Sequence, residues 1–219
     1  MSDAATPSGR DRVAFLDKDG TLIDDVPYNV DPSRVRFAPR ARDAVRLLGR
    51  YGWPIAIVTN QSGVARGYFG LDDLAIVADR LRSDLESLGA EWAGFYACPH
   101  LPEGVNAYAV ECDCRKPAPG LLIQAADELG ADLGQSWFVG DTWMDVVAGR
   151  SAGCRTILVG PEWRQASSWP AEHVPDHAVP DLLRAAEIIV GFAGRAGSRG
   201  PRAVGTREMS RRASAEVVR

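Results

Sequence analysis

Cysteine is sparse in this chain, positive charge is not in excess, and no long apolar run occurs. The four cysteines are Cys98, Cys112, Cys114 and Cys154, and in a reducing compartment they are expected to form no disulfide framework. A formal net charge of −4 gives no overall attraction to nucleic acid or to anionic lipid. No apolar stretch approaches the roughly 20 residues of a membrane-spanning helix. Residues 1–12 are polar and small, without the apolar centre of a signal peptide, so the expected location is cytoplasmic. Internal repeats are missing as well. What is present, 46% hydrophobic and 25% charged residues, is the composition of a soluble globular protein. A length of 219 residues suits one domain, or one domain with tails, and allows a sizeable core.

Apolar runs of two kinds alternate along the chain. Residues 13–16, 55–58, 95–97, 137–139 and 156–159 read as buried strands. Between and after them, residues 41–51, 71–88, 119–129, 144–151 and 181–190 read as helices. Ala44, Val45, Leu47 and Leu48 make an apolar stripe on the first. Asp72 and Asp73 suit the positive end of the second, and Gly130 stops the third. Strands alternating with helices imply right-handed crossovers. The expected class is therefore α/β, a three-layer, doubly wound, mainly parallel sheet covered on both faces. Residues 1–11 are expected to be a disordered arm. Residues 193–219, with seven arginines and few apolar side chains, are expected to be a disordered basic tail.

Polar residues suited to phosphate follow these strands. Asp17-Lys18-Asp19-Gly20-Thr21 puts two carboxylates two residues apart after the first, at the sheet edge where open α/β folds bind ligands. Neighbouring acids repel, and a cation or a shared proton compensates. Gly20 permits a sharp turn, and Thr21 offers a hydroxyl to fix it. After the second strand come Thr59-Asn60-Gln61-Ser62-Gly63 and then Arg66-Gly67, small donors able to hold phosphoryl oxygens. Arg115-Lys116-Pro117 places two cations before a helix. Gly140-Asp141 follows the fourth strand, with Asp145 four residues on. Asp145 reads either as a support for a metal site or as a solvated helix residue. Together these groups are an inventory for binding a divalent ion and a phosphoryl group.

Cys98-Pro99-His100 and Cys112-Asp113-Cys114 present three sulfurs and an imidazole. That set fits a closed, tetrahedral, structural Zn²⁺ site; the alternative is a group of buried thiols beside an incidental histidine. The loop between the pairs has turn formers, Pro102 and Gly104, and little that packs, so a metal would substitute for core. It is not basic, unlike a nucleic-acid-binding zinc ribbon. Cys154 reads as a small core residue.

The four segments resemble, in order and spacing, the signature motifs of the haloacid dehalogenase-like phosphatase superfamily: Asp17-Lys18-Asp19-Gly20-Thr21, Thr59-Asn60, Lys116-Pro117, and Gly140-Asp141 with Asp145. The resemblance covers residues 12 to 160 and implies a Rossmann-like fold and a Mg²⁺-dependent phosphatase. It implies Asp17 as nucleophile forming an aspartyl-phosphate, and Asp19 as general acid and then base. Thr59 and Lys116 would bind the transferring oxygens. Mg²⁺ ligands would be Asp17, Asp141 and the backbone carbonyl of Asp19, supported by Asp145.

The chain is similar, more narrowly, to D-glycero-D-manno-heptose 1,7-bisphosphate 7-phosphatases and histidinol-phosphate phosphatases. The residues carrying this are Thr59 through Gly67, Cys98-Pro99-His100 and Cys112 through Pro117. That resemblance implies Zn²⁺ on Cys98, His100, Cys112 and Cys114, in a loop at 98–114 of a phosphatase domain spanning 12–192. It implies substrate contacts from Asp25 through Tyr28, and from Asn60, Gln61, Ser62, Arg66 and Arg115. One departure is Thr142, which stands where many bacterial heptose enzymes have lysine, so a cation near the phosphate is lost. About forty residues separate the first two motifs, mostly loop and helix, which leaves no room for a large cap domain. The expected activity is hydrolysis of a heptose bisphosphate by a monomer whose partner is a small sugar phosphate, with neither nucleic acid nor membrane involved. Histidinol phosphate is the second candidate substrate, and a non-catalytic phosphate-binding module the third reading.

Overall fold

The computed structural model describes residues 11–196 and 216–218, with the backbone alone for residues 162, 193–196 and 216–218. Its strands are β1 (Ala14–Leu16), β2 (Ile55–Asn60), β3 (Trp92–Cys98), β4 (Trp137–Gly140), β5 (Arg155–Leu158), β6 (His177–Ala178) and β7 (Glu216–Val218). Helices α1 (Ala41–Arg50), α2 (Leu71–Ser87), α3 (Gly120–Leu129), α4 (Trp143–Ala152) and α5 (Leu182–Ala196) cover them. One sheet runs in the order β6-β5-β4-β1-β2-β3-β7. All pairs are parallel except β3 with β7, which is antiparallel.

Alternation along each strand sorts side chains between two cores. Ala14, Leu16, Ile55, Ile57, Trp137 and Val139 face α1, α2 and α5, meeting Val45, Leu48, Leu74, Leu81, Ala185 and Ile189. Val13, Phe15, Ala56, Val58 and Phe138 face α3 and α4, meeting Leu121, Leu122, Ala125 and Ala148. Burial on both faces is why these strands read as unbroken apolar runs, and each large side chain so buried stabilises by roughly 1.5–3 kcal/mol. Cys154 belongs to the second core, as expected. Between β1 and β2 lie one short 3₁₀ turn (Pro32–Arg34) and α1, so no cap domain is inserted there.

The sheet grows from β1 through β2 to β3 on one side and from β1 to β4 and β5 on the other. The crevice for ligands in such sheets opens where that direction reverses, at the carboxyl ends of β1 and β4.

Several elements differ from expectation. β3 begins three residues earlier than residue 95, because Gly94 gives the preceding stretch little apolar signal. β6 was not expected; its two residues are paired to Ile157 and Leu158 by the sheet, not by any run of their own. α5 passes residue 192 and ends at Ala196. Glu216–Val218 pairs with Phe95–Ala97 within the segment expected to be a basic tail. The rest of that tail and the expected arm at 1–11, apart from Asp11, lie outside the described residues. Among the described residues, no helix is long and apolar enough to cross a membrane.

Candidate active site

Asp17 is the first residue past β1, and its N–H donates to the carbonyl of Val139 in β4 at 2.8 Å, which fixes the strand end. Lys116 reaches it from the turn before α3. The Lys116 ammonium donates to Asp17 Oδ1 at 2.6 Å, to Asp145 Oδ1 at 2.6 Å and to the carbonyl of Val58 at 3.2 Å. All three side chains are buried, Lys116 being only 4% exposed. Burial works against a charged Lys116, yet Asp145 and Asp17 together hold it above the ordinary lysine value.

Asn60 sets the position of that lysine. Its amide donates to the Lys116 carbonyl at 3.1 Å and accepts from the Lys116 N–H at 3.0 Å. The sequence suggested a substrate contact for Asn60; in the structure its amide is spent on this backbone, while the residue still borders the substrate cavity described below.

The acids form one group. Carboxylate oxygens of Asp17, Asp141 and Asp145 lie within 4.8 Å of one another. Two glycines allow this crowding. Gly20 sits at φ +77°, and a Cβ there would come within 2.2 Å of Asp141 Oδ2. A Cβ on Gly140 would come within 2.3 Å of the Asp145 side chain. Asp145 is 2% exposed, with Oδ1 on Lys116 and Oδ2 accepting from the Thr142 N–H and hydroxyl at 3.0 and 2.6 Å. The solvated-helix reading of Asp145 is thereby excluded. Thr142 opens α4 and orients Asp145.

Burial pushes the Asp17 carboxyl up to about 7, against the pull of Lys116 and with Asp145 and Asp141 adding to the rise. Burial, reinforced by Asp145, raises Asp141 to about 6. Such a site fits a divalent cation: hard oxygen donors, crowded and desolvated, whose mutual repulsion a positive ion removes. A carboxyl whose folded value is raised binds its proton more tightly folded than unfolded. Its contribution to stability is therefore full below about pH 4 and lost as pH climbs through 6 and 7. Metal-free protein should accordingly lose stability relative to Asp17→Asn between pH 5 and pH 8, and a divalent cation should raise its melting temperature more at pH 8. Scanning calorimetry of both proteins with and without magnesium measures this; a wild type that gains on the variant as pH rises would contradict it.

A cavity of about 300 Å³ opens beside Asp19, lined by Lys18, Asp25, Tyr28, Asn60, Gln61 and Ser62 among others. Asp19 is clamped on both oxygens. Lys18 Nζ lies 3.0 Å from Oδ1, and Gln61 Nε2 donates to Oδ2 at 3.2 Å and to the Thr59 hydroxyl oxygen at 3.0 Å. Tyr28, at φ +55°, meets Tyr68 edge to face at 4.8 Å. Arg115 lies elsewhere, lining a second cavity of about 350 Å³ with Glu111, Lys116 and Met144. Arg66 lines neither cavity; its Nε is buried with no hydrogen-bond partner among the described residues. Sequence reasoning missed Lys18, whose signal was a lysine flanked by two acids at a strand end, and Tyr68, which carried none.

Cys98, His100, Cys112 and Cys114 converge as a second group, with S···S and S···N separations of 3.1 to 3.9 Å. A hydrogen bond from Cys114 pulls the Cys98 thiol down to about 6, while burial raises Cys112. Cys114 is raised, through its bond to Cys98 and burial. Three sulfurs and an imidazole packed together in this way are a donor set for a thiophilic cation. The loop is stitched to the second motif: the Val105 N–H donates to the Ala65 carbonyl at 2.7 Å and Asn106 to the Val64 carbonyl at 2.7 Å. Arg115 in turn donates to the His100 carbonyl at 3.3 Å.

A switch-point sheet with an Asp-Lys-Asp turn, a buried lysine and paired acids defines a haloacid dehalogenase-like hydrolase. A family model described as HAD-hydrolase-like matches residues 113–185. The chain is 40% identical over 149 residues to a D-glycero-beta-D-manno-heptose-1,7-bisphosphate 7-phosphatase of Pasteurella multocida, covering 68% of this chain and 81% of that one. It is 35% identical over 179 residues to the enzyme of the same name from Yersinia pestis, covering 78% and 94%. A D,D-heptose 1,7-bisphosphate phosphatase from B. bronchiseptica, solved with magnesium and phosphate, superimposes with a TM-score of 0.71 at 29% identity, covering 83% and 99%. This chain belongs to the haloacid dehalogenase-like phosphatases, in the family of these heptose-bisphosphate enzymes, and is an enzyme that hydrolyses phosphate esters.

Proposed function

We propose that this protein is a Mg²⁺-dependent phosphatase that removes one phosphate from a heptose 1,7-bisphosphate through an aspartyl-phosphate. The observation that carries the reading is the Asp17 carboxylate held 2.6 Å from the Lys116 ammonium, within one group of acids and beside the clamped Asp19. An Asp17 oxygen attacks phosphorus as the bond to the sugar oxygen breaks, and Asp19 gives that oxygen its proton. Asp19 then takes a proton from a water whose oxygen attacks the same phosphorus, freeing Asp17 and inorganic phosphate. Lys116 and Thr59 hold the transferring oxygens where negative charge builds. Asp17, Asp141 and the Asp19 carbonyl, backed by Asp145, would hold Mg²⁺. When bound, that ion offsets the charge of the phosphoryl oxygens.

The names of the relatives point to the bisphosphate, and so does the presence of a further cation. Arg115, which lines the cavity of about 350 Å³ with Lys116, is available for a second, distal phosphate, which histidinol phosphate lacks. Without a cap, Asp25, Tyr28, Gln61 and Ser62 supply the sugar-facing contacts. The enzyme acts as a monomer in the cytoplasm, on a small sugar phosphate. Assaying heptose 1,7-bisphosphate against histidinol phosphate side by side tests the substrate; much higher kcat/KM for histidinol phosphate would overturn it.

We place structural Zn²⁺ on Cys98, His100, Cys112 and Cys114. Because Cys114 runs directly into Arg115 and Lys116, and the loop is bonded to Val64 and Ala65, fixing the loop fixes substrate-facing groups. Removing zinc should raise KM several-fold or more while the sheet still melts cooperatively. Unchanged KM in protein shown by elemental analysis to be zinc-free would count against the assignment.

A further inference from the structure

A third cavity, of about 640 Å³, lies away from the acids and is lined by Arg36, Arg40, Arg42, Arg46 and Arg80 among others. Asp43 is the single acid in its lining, so the wall carries a net four positive charges on a chain whose own net charge is −4. Carboxylates partly answer three of these arginines: Arg40 by Asp181 at 3.4 Å, Arg46 by Asp43 at 2.9 Å and Arg80 by Asp84 at 2.8 Å. The Arg46–Asp43 pair is more than half exposed on both sides, so it neutralises little. Arg36 and Arg42 have no carboxylate partner among the described residues, yet both are held in place. The Arg36 guanidinium donates to the carbonyls of Ser33 and Val35 at 2.7 and 2.9 Å, and that of Arg42 lies 4.5 Å from the Phe37 ring centre. Arg40 is kept at φ +63°, a backbone state that costs a non-glycine residue energy and is retained where the surroundings demand it. Guanidiniums lining one concave wall, two of them without a carboxylate partner among the described residues, are suited to phosphate-type anions.

The wall is joined to the substrate loop. The Asp24 N–H donates to the Arg36 carbonyl at 2.9 Å, the Ala38 N–H to the Leu22 carbonyl at 3.1 Å, and Ile23 bridges antiparallel to Phe37. The segment that carries Arg36 and Arg40 is thus zipped to the residues just before Asp25 and Tyr28. We propose that this pocket binds a small, multiply charged phosphate compound of the pyrophosphate class and that its occupancy adjusts the substrate loop. The coupling half rests on the active-site reading above; the binding half does not.

Calorimetric titration with inorganic pyrophosphate, in chelator and at low ionic strength, tests the binding. Wild-type protein should take up pyrophosphate with an affinity that falls as salt rises, and Arg42→Glu/Arg46→Glu should weaken it roughly tenfold or more. Arg82→Glu, an exposed charge reversal on α2 outside the pocket, should not. Absence of uptake, uptake that the double variant leaves intact and so belongs to the active site, or equal loss in Arg82→Glu would each overturn the site. Pyrophosphate should also change KM for the bisphosphate in wild type and not in the double variant. An unchanged wild-type KM despite measured binding would overturn the coupling alone.

Discussion

Asp17→Asn should lower kcat by roughly four orders of magnitude or more while leaving a folded protein. The amide is nearly isosteric with the carboxylate, so the backbone bond from residue 17 to Val139 and the packing around it are retained. What disappears is the oxygen nucleophile, because an amide oxygen has neither the charge nor the basicity to displace a sugar alkoxide from phosphorus. The stability side follows from the same environment. Burial, reinforced by Asp145 and Asp141 and opposed by Lys116, drives the Asp17 carboxyl up to about 7, so its ionised form is costly where it sits. Lys116 keeps Asp145 at 2.6 Å when Asp17 is neutralised. The variant should therefore melt near the wild-type temperature at neutral pH, and above it in metal-free buffer at pH 8. Wild-type protein quenched in acid during turnover should carry phosphate on residue 17, and the variant none. Retention of ordinary turnover by Asp17→Asn would remove the nucleophile assignment and with it the proposed mechanism.

The parts of this site that could be read from sequence are those fixed by chain-local chemistry. Asp17, Asp19 and Gly20 are read together because a strand end, a sharp turn and a cation-binding pair all fall within five residues. Cys98, His100, Cys112 and Cys114 are read because ligands two residues apart can share one ion. The central strands are legible for a related reason: burial on both faces writes them as unbroken apolar runs. Elements stabilised by a neighbour are not legible. β6 and β7 are short and exist through pairing with β5 and β3, so their own residues carry no strand signal. Lys18 shows the same limit at the level of a side chain. Between two acids it reads as a surface lysine, and only the fold reveals that it is 1% exposed with its ammonium on Asp19. Asp145 needed the fold as well, because four residues of spacing do not say whether a helical acid faces water or a buried lysine. The four arginines from Arg36 to Arg46 are plain in the sequence, but bringing Arg80 to them depends on how α2 lies against the Pro32–Arg34 turn, where Arg80 donates to the Pro32 carbonyl at 3.2 Å.

Lys116→Met should be the most destabilising single change in the site, because methionine fills the space and removes the charge. In the wild type one ammonium answers two carboxylates inside the fold, at 2.6 Å each. Without it Asp17 and Asp145 face one another and Asp141 with no counter-charge, and breaking a buried pair in this way costs about 3–5 kcal/mol. The loss should depend on pH. Asp17 already has a raised folded value, and losing its cationic neighbour raises it further, so the variant goes on losing stability above the pH at which the wild-type carboxyl has ionised. Denaturant unfolding should therefore show the larger deficit at pH 8. Lys116→Met/Asp145→Asn removes one of the stranded charges and should recover part of the loss, making the two changes non-additive. Activity should not return in the double variant, since the group that offsets charge on the transferring oxygens is still missing. That separation is the decisive outcome. If stability and turnover recovered together, Lys116 would be a structural counter-ion only; if neither single nor double variant changed stability, the buried three-way contact would not exist in solution.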